Sequence, residues 1–243
     1  MKLTEVLAGL ADVVFPPCCA SCSAVFTEGE GPLFCRGCER RIPALTPPLC
    51  PRCGISVGPE GGGDHLCGAC LAEEPPFDLA RALGRYETVL LEAIHRFKYG
   101  GQSALGKKLG RRMAAFPFPG FDGRAFDAVL PVPLHVRRLR ERGYNQSLLL
   151  AREIARAYRL PLDFQSLQRT QVTAPQVELG RRARQDNVRG AFAVVWPERV
   201  EGRRLLLVDD VFTTGSTIGE CCRVLRKAGA ARIAVLTLAR AVA

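Results

Sequence analysis

The sequence of 243 residues contains no run of about 18 apolar residues, so no part of it reads as a membrane-spanning helix. It also lacks a persuasive export signal. Residues 3–14 are apolar, but Glu5 and Asp12 interrupt them and no small-residue cleavage site follows. Leu3, Val6, Leu7 and Leu10 share one helical face instead, which predicts a short amphipathic helix. A cytoplasmic chain without membrane insertion is the expectation. Cysteine is almost absent after residue 70, where only Cys221 and Cys222 occur. Acidic charge is thin in the same part: residues 76–243 hold 29 Lys/Arg against 15 Asp/Glu, net +14. Residues 1–75 hold five against nine, net −4. The basic excess points to a polyanionic ligand for the longer part, whether a phosphorylated small molecule or a nucleic-acid backbone.

Nine of the 11 cysteines lie between residues 18 and 70, and eight of them form C-x-x-C knuckles: Cys19/Cys22, Cys35/Cys38, Cys50/Cys53 and Cys67/Cys70. Dense cysteine without an export signal favours metal over disulfides. Two knuckles close one tetrahedral Zn–S₄ site, and spacers of 12 and 13 residues match within consecutive pairs. The spacing predicts two successive zinc ribbons, Cys19, Cys22, Cys35 and Cys38 forming the first. An interleaved pairing of the same eight thiolates would also close two sites. Four thiolates leave no open position, so both zinc ions would be structural. Cys18 is off the pattern, and His65 reads as a loop histidine beside a complete set. Prolines at 16, 17, 43, 47, 48 and 51 fit a loop-rich module that depends on metal for folding. Pro75-Pro76 marks a boundary, giving an N-terminal helix and double zinc ribbon over 1–75 and a second domain over 76–243.

In the second domain, Leu205-Leu206-Leu207-Val208 is too short for a helix and reads as a buried strand of a parallel sheet. Asp209 and Asp210 end it. A loop rich in hydroxyls, Thr213-Thr214-Gly215-Ser216-Thr217, then leads into a helix whose apolar residues Ile218, Cys221, Cys222, Val224 and Leu225 recur at helical spacing. Strand, glycine loop and helix N-terminus make an anion seat, because backbone N–H groups and the helix dipole point at one spot. A capped helix alone would not call for two acids and four hydroxyls around one glycine. Carboxylates beside a phosphate suit sugar hydroxyls or Mg²⁺, which is the layout of a ribose 5-phosphate site.

Elsewhere the pattern predicts strands over 79–86, 126–132, 191–196 and 233–238, and helices over 88–98, 103–115, 146–158 and 216–227, with Gly229 closing the last helix. Strands alternating with helices indicate an α/β domain with a mainly parallel sheet. After the second strand, Arg137, Arg138, Arg140 and Arg142 suit a pyrophosphate clamp, since guanidinium pairs phosphate oxygens two at a time. Residues 165–189 lack an apolar stripe and carry Arg181, Arg182, Arg184, Asn187 and Arg189, which reads as a mobile functional loop.

The Asp209–Thr217 stretch resembles the PRPP-binding signature of phosphoribosyltransferases. Pro131-Val132-Pro133-Leu134-His135, Arg142-Gly143-Tyr144-Asn145-Gln146, Asn187-Val188-Arg189-Gly190-Ala191-Phe192 and Phe97-Lys98-Tyr99-Gly100-Gly101, with the double zinc ribbon, look like the ComF family. The resemblance implies a type I phosphoribosyltransferase-like fold behind a zinc module. It implies that Asp209 and Asp210 hold the ribose hydroxyls, residues 213–217 the 5′-phosphate, and Arg137, Arg138 and a closing 181–189 loop the pyrophosphate of PRPP with its Mg²⁺. It also implies a link to DNA uptake in natural competence. Single-stranded DNA, competence-machinery proteins, or a sensing role without turnover stand beside catalysis as readings. No residue identifies an acceptor or a general base.

Overall fold

The computed structural model describes residues 16–26, 33–59, 62–171 and 188–242. The expected N-terminal helix over 3–14 and the loop arginines Arg181, Arg182 and Arg184, with Asn187, lie outside them.

The described residues open with two ribbons of similar build. The first places its two knuckles before and at the start of helix α1 (Arg36–Arg40), and the second does the same around α2 (Gly68–Ala72). Strand β1 (Leu79–Arg85) opens the larger unit, followed by α3 (Thr88–Tyr99), α4 (Ala104–Ala115) and β2 (Ala128–Pro131). Next come α5 (Val136–Arg142), α6 (Gln146–Tyr158), β3 (Leu167–Arg169) and β4 (Phe192–Val194). Strand β5 (Arg204–Phe212), α7 (Ser216–Lys227) and β6 (Arg232–Arg240) complete the order. The main sheet runs β1-β6-β5-β2 and is parallel throughout. Its central strands are sealed on both faces, which is why β5 reads as a continuous apolar run.

The pleat divides the core. Leu206 and Val208 of β5, with Ala234, Leu236 and Leu238 of β6, face α3, α4 and α6. Leu205, Leu207, Ile233 and Val235 face Ile218, Cys221, Cys222 and Leu225 of α7. Helix α6 packs on β2, β5 and α4. A Cβ at Gly106 of α4 would lie 2.7 Å from Leu149 and one at Gly110 2.9 Å from Glu153, so these glycines set how close the two helices come.

The zinc ribbons have no core of their own. Cys19, Ala20, Leu33, Phe34 and Cys38 join the cluster that contains Leu90, Ile94 and Phe97 of α3. Cys50 and Cys53 join the opposite cluster with Phe77 and Phe212. Arg81 of β1 is buried, donating to the carbonyls of Pro51 in the second ribbon (3.3 Å) and of Pro119 (2.7 Å). A guanidinium with several carbonyl acceptors can be buried without an acidic partner.

The helices expected over 88–98, 103–115, 146–158 and 216–227 all form, with ends shifted by a residue at most. One strand differs. The segment expected over 191–196 forms as β4, but it pairs antiparallel with β3 in a separate two-stranded sheet. Strand β3 falls in a segment that reads as lacking structure of its own. Only its partner, 27 residues downstream at Leu167↔Val194, makes it a strand.

Candidate functional site

The carboxyl ends of β5 and β2 open into a cavity of about 460 Å³. Open parallel sheets leave such a crevice where neighbouring strands send their chains to opposite sides. Its floor is Asp209, Asp210 and Val211, and one wall is the loop with Thr213, Gly215, Ser216 and Thr217. The opposite wall combines Pro133, Leu134 and Arg138, which follow β2, with Arg142, Gln146 and Ser147. Lys98 and Tyr99 from the end of α3, and Arg169 from β3, also line it.

Both acids are buried, Asp209 at 8% exposure and Asp210 at 4%. Asp209 Oδ1 accepts from Ser147 Oγ at 2.8 Å and from the Asp210 backbone N–H at 2.9 Å. Burial, with the neighbouring charge of Asp210 adding to it, pushes the Asp209 carboxyl up to about 7, against the hydrogen bond from Ser147. Continuing the β5 alternation from Leu206 and Val208 puts Asp210 on the α3 side. There Lys98 Nζ lies 3.0 Å from its Oδ1. Burial works against the ammonium of Lys98, but Asp210 and Asp209 outweigh it and hold its pKa above the ordinary lysine value.

Gly215 turns the loop into α7 with φ of +79°, a conformation that costs glycine nothing and other residues much. The hydroxyls of Thr214 and Ser216 lie 2.8 Å apart, and Gly219 N–H donates to Gly215 O at 2.6 Å. Thr214 lines a second cavity on the far side of the loop, while the other four hydroxyl- or glycine-bearing positions of 213–217 face the first. Ser216, buried at 9% exposure, is the first helical residue.

The arginines after β2 divide. Arg138 and Arg142 line the cavity. Arg142 donates to Gln146 Oε1 at 2.7 Å and stacks 5.3 Å from the Tyr99 ring centre. Arg137 turns to Glu141 at 3.1 Å and is not among the lining residues, because an α-helix points successive side chains about 100° apart. His135 caps α5, its Nδ1 accepting from Arg137 N–H at 3.1 Å. Asn145 caps α6 through Oδ1 and ties it to β2 by donating to Val132 O at 3.1 Å. That pair of bonds sets Ser147 against Asp209.

Among the lining groups, Lys98, Ser147 and Arg169 were not predicted as site residues, although Lys98 lies in the Phe97–Gly101 motif. Lys98 had a signal: it falls on the face of α3 that carries Ile94, where an unpartnered lysine would be costly. Ser147 had none, since its partner is 62 residues away.

The cysteines group in sequence order. The sulfurs of Cys19, Cys22, Cys35 and Cys38 lie within 4.8 Å of one another, as do those of Cys50, Cys53, Cys67 and Cys70. Zn–S bonds of about 2.3 Å put tetrahedral sulfurs about 3.8 Å apart. The Cys22–Cys35 and Cys53–Cys67 separations are 3.8 and 3.6 Å. The donor sets fit structural Zn²⁺. His65 belongs to neither, its Nδ1 lying 2.9 Å from Gly63 O.

Two family models match: a double zinc ribbon domain over residues 10–71 and a phosphoribosyl transferase domain over residues 145–243. DNA utilization protein YhgH of Salmonella typhi is 33% identical over 217 residues, covering 85% of this chain and 90% of that protein. Competence protein F of Haemophilus influenzae is 34% identical over 219 residues, covering 86% and 90%. The chain belongs to the ComF family. A more distant member, competence protein ComFC of Bacillus subtilis, is 24% identical over 89% of this chain and 88% of that one. The parallel sheet, its flanking helices and the two Cys₄ clusters are therefore the ComF combination of a phosphoribosyltransferase-like fold with a double zinc ribbon. No helix among the described residues is long and apolar enough to cross a membrane.

Proposed function

We propose that this ComF protein binds PRPP at the carboxyl ends of β5 and β2 and transfers or senses its phosphoribosyl group in DNA uptake. The observation that carries the reading is one cavity shared by Asp209 and Asp210, the Thr213–Thr217 loop and Arg138. A phosphate seat, two acids for sugar hydroxyls and a cation for a second phosphate lie around one space. The 5′-phosphate would sit on the loop around Gly215, the ribose over Asp209 and Asp210, and the pyrophosphate toward Arg138. Arg181, Arg182, Arg184 and Asn187 remain candidates for a closing loop, and Arg137 contributes at most from the rim.

Transfer would break the bond between ribose C1 and pyrophosphate, which leaves with the bonding electrons, and form one from C1 to an acceptor. Positive charge builds on the ribose and negative charge on the leaving oxygens. Arg138, Arg142 and Arg169 supply fixed positive charge on that side of the cavity, and a closed loop would exclude water. Magnesium fits as an ion that arrives on PRPP rather than one the protein holds first, because Asp210 Oδ1 already faces an ammonium at 3.0 Å. Bound Mg²⁺ would screen the pyrophosphate charge. Reduced thiolates in two zinc centres favour a cytoplasmic setting. The division at 75/76 rests on the sequence, and the ribbons dock on the transferase part.

Calorimetry with PRPP and Mg²⁺ tests the reading. Wild type should bind, and Asp209→Asn/Asp210→Asn should lose about ten- to a hundredfold, from replacing charge-assisted bonds of about 1.5–3 kcal/mol. Inorganic phosphate should bind both equally. Equal PRPP affinity in the two proteins removes the ribose assignment. Pyrophosphate release across candidate acceptors then separates transfer from sensing.

A second reading rests on the net charge of +14 over residues 76–243 and on the names of the relatives. The same protein would handle single-stranded DNA, alone or with competence-machinery proteins. Its affinity should then fall steeply with salt, and neutralising Arg181, Arg182 and Arg184 should weaken it for every sequence. Indifference to both excludes that mode.

A further inference from the structure

Two adjacent carboxylates at a strand end repel each other, and burial makes the repulsion worse. A divalent cation is one remedy. This chain carries another. Lys98 reaches the acids from the last turn of α3, 112 positions earlier in the sequence and on the far edge of the sheet. Its side chain is 18% exposed and that of Asp210 5%, so neither partner is freely solvated. The placement is firmly supported: Ile94 and Phe97 of the same helix are fully buried, and Tyr144 OH donates to Phe97 O next to Lys98. The ammonium therefore has little freedom to leave.

The ion pair uses Asp210 asymmetrically. Oδ1 faces Lys98, while Oδ2 is buried with no hydrogen-bond partner. A buried carboxylate oxygen without a donor is costly, and because Asp210 lines the cavity, a small turn of its side chain would bring Oδ2 to a donor there. Asp209 differs, since its Oδ1 is already satisfied by Ser147 and the Asp210 backbone. The donor that Oδ2 lacks would be supplied by a ligand hydroxyl lying between the acids and the phosphate loop.

Resting on the ribose-phosphate reading above, we propose that Lys98 is a built-in cation of the site: it holds Asp210 with Oδ2 free to accept a sugar hydroxyl, and it makes binding of a ribose phosphate that lacks pyrophosphate independent of Mg²⁺. Magnesium then matters for the pyrophosphate portion alone. Lys98 is in these terms a positioning residue. A merely structural lysine would not alter how sugar binding responds to magnesium.

The test is calorimetric titration of ribose 5-phosphate and of inorganic phosphate into wild type and Lys98→Met, each in EDTA and in Mg²⁺. Wild type should bind ribose 5-phosphate within about twofold under both conditions. Lys98→Met, of similar length without charge, should lose about tenfold or more in EDTA and regain much of it in Mg²⁺. Its affinity for inorganic phosphate should stay within about twofold of wild type. Three results overturn the proposal: Lys98→Met binding ribose 5-phosphate normally in EDTA, Lys98→Met losing inorganic phosphate equally, or wild type needing Mg²⁺ for the sugar phosphate. Should Lys98→Met not fold, the wild-type comparison decides alone. Wild type that binds inorganic phosphate but no ribose 5-phosphate in either condition refutes the ribose reading itself, a different failure from any of these three.

Discussion

The guanidinium carbon of Arg240 lies 4.1 Å from the ring centre of Phe212, joining the last residue of β6 to the last residue of β5. On one side of this contact is the second cysteine cluster. Burial pushes the Cys53 thiol up and the charge of Arg240 works against it. On the other side is the Thr213–Thr217 loop, since a Cβ on Gly215 would lie 2.8 Å from Phe212 Cε1. Phe77, between the second ribbon and β1, packs edge-on against Phe212 at 5.9 Å. The second metal centre and the loop are thus separated by two side chains.

Zinc content and phosphate affinity should consequently respond differently to the two ribbons. Wild type should carry about two Zn per chain, and Cys22→Ser and Cys50→Ser about one each. Cys50→Ser should also weaken inorganic phosphate by up to about tenfold, because Arg240 and Phe212 lose their backing. Cys22→Ser, in the ribbon packed on α3, should leave it unchanged. Metal analysis alongside phosphate calorimetry checks this, and equal effects of the two variants would sever the proposed connection.

Gly215→Val meets two obstacles at once: a φ of +79° and the Phe212 ring. A β-branched residue held there costs about 1–2 kcal/mol from the backbone alone. Phosphate, ribose 5-phosphate and PRPP should all lose binding together, unlike the acid variants, which spare phosphate. Titration of the three ligands into a folded Gly215→Val protein is the measurement.

Asp209 should leave a mark on stability against pH. Its carboxyl titrates near 7 in the folded protein against the ordinary 3.8, so between those values the folded state holds the proton more tightly than the unfolded chain. Stability from this group is full below about pH 4 and declines as pH rises toward 7. Asp209→Asn removes the decline. Urea unfolding should show the variant gaining on wild type from pH 5 to pH 8; comparing the two at each pH cancels proton effects on the zinc sites. A difference that is flat or shrinks with pH would contradict the burial argument.

Thiol reactivity should separate the cysteines. Cys18 is exposed and in neither cluster, whereas burial pushes the thiols of Cys221 and Cys222 well up. Iodoacetamide should add about one label to the zinc-loaded native protein, at Cys18, since thiolate is the reacting form. Unfolding in EDTA should expose all 11 cysteines. Peptide mapping by mass spectrometry reads the positions, and native labelling of Cys221 would indicate that α7 opens.

The sequence alone determined whatever depends on neighbours along the chain. Periodicity marked the helices over 146–158 and 216–227, the run Leu205–Val208 marked a central strand, and the glycine-bearing loop Thr213–Thr217 marked the turn from that strand into a helix, because hydrophobic pattern and turn chemistry are local. Knuckle spacing identified two zinc sites, but both pairings of the eight cysteines satisfied it, and the fold brings consecutive knuckles together. Contacts across the sheet were beyond local signals. Lys98 meets Asp210 because β1 and its helix fold back along the edge of the sheet, and Ser147 meets Asp209 because Asn145 anchors α6 to β2. Neither partner can be inferred from spacing, since side chains far apart in sequence are brought together only when burial of the common core fixes the topology. The same holds for β3, which becomes a strand through β4, and for Arg137, whose turn away from the cavity is decided by the pitch of a seven-residue helix.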